Sequence, residues 1–174
     1  MGGCEIASGK ARGCRTGFAG IKIFDAFSWD DIETITVVDD VVTALTLASG
    51  KRAYRFELEE EVGSFGQVMT VSRQNGSKVN AQTLTVPFNG LSSADIETFD
   101  NLASTNFCAI VHYSDGTYRL AGRNNGMAVE TDTETSGTAH EDRNGTEIVA
   151  MTKEPRKAPF IGANIVASLQ IAAS

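Results

Sequence analysis

Two histidines are the whole supply of imidazole in this 174-residue chain, so any acid–base chemistry near neutral pH would rest on His112 or His140. His112 stands beside Ser114 and Asp115, the residue types of a hydrolytic triad. A triad is assembled by folding from distant positions, and neighbours in one hairpin are poorly placed for it, so the segment reads as a turn set. His140-Glu141-Asp142 offers three metal-ligand types in a row; without a second ligand at helical spacing it reads as a solvated loop. The carboxylates Glu57, Glu59, Glu60 and Glu61 offer oxygen ligands, but they lack the interleaved glycine and carbonyl pattern of a calcium loop. They read instead as a solvated or lumen-facing sheet surface.

The remaining reactive types are as sparse. Cys4, Cys14 and Cys108 are too few and too widely spaced for a disulfide scaffold or a zinc site. Reduced thiols are expected, with a Cys4–Cys14 bond, within or between subunits, left open. Gly9-Lys10 and Gly13 lack the spacing and the Lys-Ser/Thr ending of a phosphate-binding loop. Asn75-Gly76-Ser77 and Asn144-Gly145-Thr146 match glycosylation acceptors, but read as turns in a chain with no secretory signal. No enzyme activity, cofactor or metal is expected.

Period-two alternation dominates the elements that would carry these residues, the pattern of half-buried strands. Ile21–Phe24 opens the first clear run. Ile35–Val38 and Val41–Leu47 flank Asp39-Asp40, two residues that tolerate left-handed backbone, and predict a hairpin. Tyr54–Val62 alternates an apolar even face with the charged face Arg55, Glu57, Glu59 and Glu61. Gly66–Ser72 and Val79–Phe88 pair across a type I′ turn at Asn75-Gly76, with Pro87 at an edge. Ser92 caps one helix running to about Ala103, with Ile96, Phe99 and Leu102 on one face.

Phe107–Tyr113 and Thr117–Ala121 form a hairpin over Ser114-Asp115-Gly116, and Met127–Thr135 pairs with Thr146–Lys153. In that last pair Glu130, Asp132 and Glu134 alternate with threonines, so neither face is apolar and the stem of a protruding polar hairpin over 126–147 is expected, carrying His140 and Arg143. From Ile161 to Ala173 every odd position is apolar. That run, with Ile161, Ile165, Leu169 and Ile171, predicts a strand, either a last core strand or an arm added to a neighbouring subunit.

The totals bound the function. One domain of this size is expected over 1–174, and 15 basic against 22 acidic residues give a net charge of −7, the wrong sign for gripping nucleic-acid phosphates. No apolar run approaches the ~18 residues of a membrane span, and Ile6 breaks the myristoylation pattern; a soluble chain kept in cytoplasm-like conditions is expected. The fold class is mainly β: an antiparallel β-sandwich or barrel with one flanking helix over 92–103, an N-terminal arm over 1–19, the hairpin over 126–147 and an extended C-terminal arm over 160–174. A coreless hairpin and an apolar edge are both accommodated if copies of the chain assemble symmetrically.

Several segments carry a resemblance. Cys4 and Cys14 ahead of Gly17–Lys22, then Gly50-Lys51, Phe56-Glu57-Leu58, Gly116–Gly122 and Asn125-Gly126, with Ser136–Ala139, Asp142–Thr146, Glu154-Pro155 and Ala158–Phe160, resemble tailed-phage virion proteins. Thr146-Glu147 departs from that pattern, where an aromatic or apolar strand start is expected, and the polar hairpin is more acidic than usual. The resemblance implies a tail tube subunit or a neck ring protein. It further implies stacked, usually hexameric rings in the virion, assembled in the host cytoplasm and joined by a long hairpin and terminal arms. The partners would be other copies, further tail or neck proteins, and DNA passing without specific binding; no membrane is involved. In that frame Glu57, Glu59 and Glu61 line the lumen, residues 126–147 contact the adjacent ring and residues 160–173 complete an adjacent subunit. A single-layer connector ring is the nearest alternative, and a fibre or decoration module, poorly served by one Trp and three Tyr, is more distant.

Overall fold

The computed structural model describes residues 6, 8–14, 17–169 and 171–172. In chain order the elements are β1 (Ile21–Ser28), a 3-10 turn (Trp29–Asp31), β2 (Ile32–Val38), β3 (Val41–Leu47), β4 (Ala53–Glu57), β5 (Ser64–Ser72), β6 (Ser77–Asn89) and α1 (Ser93–Ala103). There follow β7 (Phe107–Tyr113), β8 (Tyr118–Ala121), β9 (Ala128–Thr135), β10 (Gly145–Glu154), β11 (Phe160–Ile161), α2 (Ala163–Ser168) and β12 (Ile171–Ala172). They build two open sheets, an eight-stranded one in the order β12-β4-β1-β7-β8-β11-β3-β2 and a four-stranded one in the order β5-β6-β10-β9. The mainly β, two-sheet architecture with a flanking helix is as expected. Among the described residues no helix is long and apolar enough to cross a membrane.

Burial explains the layers. Along β7 every residue from Phe107 to Val111 is buried, so this strand packs on both faces, and successive side chains enter opposite cores. Phe107, Ala109 and Val111 join Phe24, Leu84, Val86, Phe99, Ile148 and Ala150 between the two sheets and α1. Cys108 and Ile110 join Phe27, Val42, Leu45, Leu120, Ile161, Val166 and Leu169 on the other face. In the first core Phe24 and Phe56 stack with ring centroids 4.8 Å apart, and Phe88 meets Phe99 at 5.0 Å.

Local chemistry sets several boundaries as expected. Asp39 and Asp40 take φ of 50° and 61° between the paired Val38 and Val41, the backbone of a two-residue I′ turn. Ser92 and Asp95 form a capping box at the start of α1, which satisfies two of the helix's unpaired N–H groups. Pro87 lies beyond Thr85, where β5 stops pairing, so only β10 flanks it.

Four expectations are corrected. The strand over Tyr54–Val62 ends at Glu57, because Glu61 turns left-handed at φ 62°; Tyr54 and Val62 are exposed rather than core-facing. The turn after β5 is not type I′, since only Gly76 takes positive φ. The run 161–173 is no extended arm. It forms β11, the short helix α2 and β12, and Ile161, Val166 and Leu169 are buried in the chain's own second core, with Ile165 and Ile171 packed on it; α2 also means α1 is not the lone helix. Residues 126–147 are no protruding stem: β9 runs as an edge strand along β10, paired from Thr135 to Ala128, while β6 flanks β10 on its other side as far as Gly145. His112 lies on β7, within the strand expected over Phe107–Tyr113. Cys4, and with it the bond to Cys14 left open above, lies outside the described residues.

Candidate assembly surface

Two places concentrate polar or exposed chemistry: a buried ionic network in the large sheet and the free margins of the small one. The network begins with Asp25, a fully buried carboxylate in the middle of β1. Arg55 on β4 donates to it through Nε at 2.8 Å and Nη2 at 3.2 Å, and His112 on β7 lies 2.6 Å away through Nε2. An ionised carboxylate only accepts, so Nε2 carries the proton and donates. Burial alone would push the Asp25 carboxyl up; the bonds from His112 and Arg55 outweigh it and hold the group below the usual carboxylate range. Tyr118 stands edge-on to His112 with centroids 4.7 Å apart.

This arrangement closes on itself. Both carboxylate oxygens are used, and the three strands β4, β1 and β7 are tied together by it. It resembles a structural clamp, not a catalytic site. Burial likewise pushes the Cys108 thiol far up, which leaves it without nucleophilic thiolate. Among the described residues no group of three His, Cys, Asp or Glu side chains is arranged to hold a metal ion.

The small sheet has the opposite character. Among the described residues its outer strands β5 and β9 each have one unpaired edge, a row of free N–H and C=O groups that would accept another strand. Beyond Gln67 the β5–β6 hairpin has left the large sheet, since Val68, Met69, Val71 and Val79 are exposed although they alternate between both faces. From Ser64 to Asn89 there is no acidic residue, and Arg73 and Lys78 sit at the tip. β9 is the complement: Glu130, Asp132 and Glu134 with no basic residue. This charge segregation between two edges of one sheet is legible in the sequence, and sequence reasoning missed it by treating each strand alone.

The expected site residues divide accordingly. Glu130 is the extra residue of a bulge between Val129 and Thr131. Asp132 and Glu134 lie opposite Ile148 and Thr146, and Asp132 accepts a hydrogen bond from the Thr146 hydroxyl. His140 is exposed in the 136–144 connection, and Arg143 pairs with Glu147 at 3.5 Å. That connection is ordered by Asp142, whose carboxylate accepts from the N–H groups of Thr138 and Ala139 at 2.8 Å each. Glu57, Glu59 and Glu61 are all exposed, but only Glu57 lies on a strand; between them Glu60 pairs with Lys22 at 2.6 Å. They form a carboxylate-rich corner and not one strand face. Ile161, Ile165, Leu169 and Ile171 belong to the second core, so they are not an exposed surface in this chain.

Searches of protein-family models, curated proteins and solved structures returned no match to this chain.

Proposed function

We propose that this chain is a structural virion protein of a tailed phage, a subunit that assembles head-to-tail into rings and stacks them into the tail tube. The observation that carries the reading is the four-stranded sheet, open at both edges, with one edge basic and apolar and the other acidic. Unlike edges on one molecule favour a heterologous contact between copies, and such contacts repeat until a ring closes or a filament grows. The acidic row on β9 discourages pairing of β9 with itself, and the cationic β5–β6 hairpin offers it a partner of opposite sign. In this reading the β5–β6 hairpin shares with β9 the joining role expected of 126–147. The corner at Glu57, Glu59 and Glu61 belongs to the conduit wall, where it repels DNA phosphates and leaves few points of adhesion.

Reversing the charges on one edge tests the contact. With Glu130, Asp132 and Glu134 replaced by lysine the assembly should disperse in a sedimentation experiment, and adding Arg73→Glu and Lys78→Glu in the same chain should restore it. Assembly indifferent to both changes would refute the edge contact. Single rings in place of stacked ones would move the protein to a connector layer.

A further inference from the structure

Four Asn-Gly pairs occur in the chain, at 75–76, 89–90, 125–126 and 144–145. In this dipeptide an asparagine side chain reacts most readily with its own backbone: the glycine nitrogen attacks the asparagine Cγ, and glycine has no Cβ to obstruct it. The reaction requires that nitrogen to shed its proton and swing toward the side chain. A glycine whose N–H is bonded to an acceptor, or that is fixed in a buried ladder, must first open locally.

Three of the four pairs are held in this way. The Gly90 N–H donates to the Asn144 carbonyl at 2.7 Å, and the Gly126 N–H to the Gly122 carbonyl at 2.9 Å. Asn125 is tied a second time, its Nδ2 donating to the Lys153 carbonyl at 2.6 Å. Gly145 is buried in β10 between Asn89 and Thr135, with the Phe88 backbone packed against it.

Asn75-Gly76 differs on each count. Both residues are exposed at the tip of the β5–β6 hairpin, beyond its last paired residues, Ser72 and Ser77. Among the described residues the Gly76 N–H has no acceptor, and a Cβ added at Gly76 would meet nothing. Arg73 and Lys78 flank the pair, and no acidic residue lies between Ser64 and Asn89. Their field favours the negative charge that develops on the attacking nitrogen and on the oxygen of the tetrahedral intermediate.

We infer that Asn75 is a self-modification site, converted to aspartate or isoaspartate without an enzyme, and that the conversion weakens the basic edge. The bond from Gly76 N to Asn75 Cγ forms, the Cγ–Nδ2 bond breaks, and Nδ2 leaves as ammonia with the proton shed by Gly76. Water then opens the cyclic imide at either carbonyl. One product is aspartate; the other is isoaspartate, in which the main chain runs through the side-chain methylene. Either puts the first carboxylate on the β5–β6 hairpin. The consequence rests on the assembly reading above: the new charge opposes Arg73 and Lys78 and lowers the attraction for the acidic β9, so free subunits lose assembly competence with time.

Peptide mapping by mass spectrometry, on full-length protein held at mildly alkaline pH, tests the site. Conversion at Asn75 should outrun that at Asn89, Asn125 and Asn144 by roughly tenfold or more, and the four rates should converge in urea, where no local opening is needed. Equal rates in the folded protein, or a preference for Asn75 that survives in urea, overturn the inference. Sedimentation reads the consequence. Asn75→Asp should leave an assembled fraction roughly threefold or more below that of Asn75→Gln, whose longer side chain cyclises far more slowly; equal fractions overturn the effect on the edge. Assembly without selective conversion sinks the inference and leaves the assembly reading standing, whereas selective conversion in a chain that stays monomeric does the reverse.

Discussion

Asp25 Oδ2 lies 2.6 Å from Nε2 of His112, although the two residues are 87 positions apart in the chain. With Arg55 they cross-link three adjacent strands at a carboxylate that water does not reach. Removing the carboxylate leaves two donors without their shared acceptor. Asp25→Ala should cost ~2–3 kcal/mol in urea unfolding at pH 7, below the ~3–5 kcal/mol of a fully buried pair because about a third of the Arg55 side chain stays in water. A loss under ~0.5 kcal/mol would show that the clamp carries little.

The same carboxylate makes a signed statement about pH. Its folded value lies below the ordinary 3.8, so its stabilisation is fully present above 3.8 and is lost as pH falls through the lower folded value. Thermal unfolding followed from pH 6 to pH 2 should therefore show wild type losing stability at the acid end more steeply than Asp25→Asn. Parallel profiles would contradict the assignment.

Gly145 is a position where shape decides. A Cβ there would sit 1.9 Å from the carbonyl oxygen of Phe88, on the facing strand, and neither backbone can yield without breaking the β6–β10 ladder. Gly145→Ala should destabilise by ~3 kcal/mol or more, measured by denaturant unfolding, whereas Gly66→Ala, which meets nothing, should change stability by less than ~1 kcal/mol.

The start of α1 gives a smaller effect. Ser92→Ala removes the acceptor for the Asp95 N–H and a partner of the Asp95 carboxylate, at a cost of ~1 kcal/mol. Calorimetry should show a correspondingly lower Tm with assembly unchanged, since neither side chain belongs to the sheet edges.

Where local physics dominates, the sequence and the structure agree. Asp39-Asp40 requires left-handed backbone and finds it, and Ser92 with Asp95 starts a helix through short-range hydrogen bonds. The C-terminal segment was misread because Ile161, Ile165 and Leu169 are four apart, a spacing that satisfies both the two-residue period of a strand and the turn of a helix. β9 was misread for a different reason: its order comes from the main-chain ladder to β10, which does not depend on side-chain polarity, and only Val129 reaches the core. The Asp25–Arg55–His112 network left just one trace, a lone aspartate amid the apolar run Ile23–Phe27, and no spacing rule links it to a histidine so far away. Gln82 hides similarly: it occupies a core-facing position of β6 and is satisfied by the N–H of Gly122.

In the proposed tube the carboxylate corner would bear on passage of DNA and not on assembly. With Glu57, Glu59 and Glu61 replaced by lysine, tubes should still form, because these residues are exposed and none belongs to the core. Particles built from that variant should retain DNA after triggering, with retention weakening as salt rises. Normal ejection would remove the lumen role while sparing the tube.

Electron microscopy of the purified full-length protein at rising concentration tests the central claim most directly. Rings that stack into tubes of uniform diameter, dispersed by lysine at Glu130, Asp132 and Glu134, are the predicted result; a protein that stays monomeric at every concentration would contradict it.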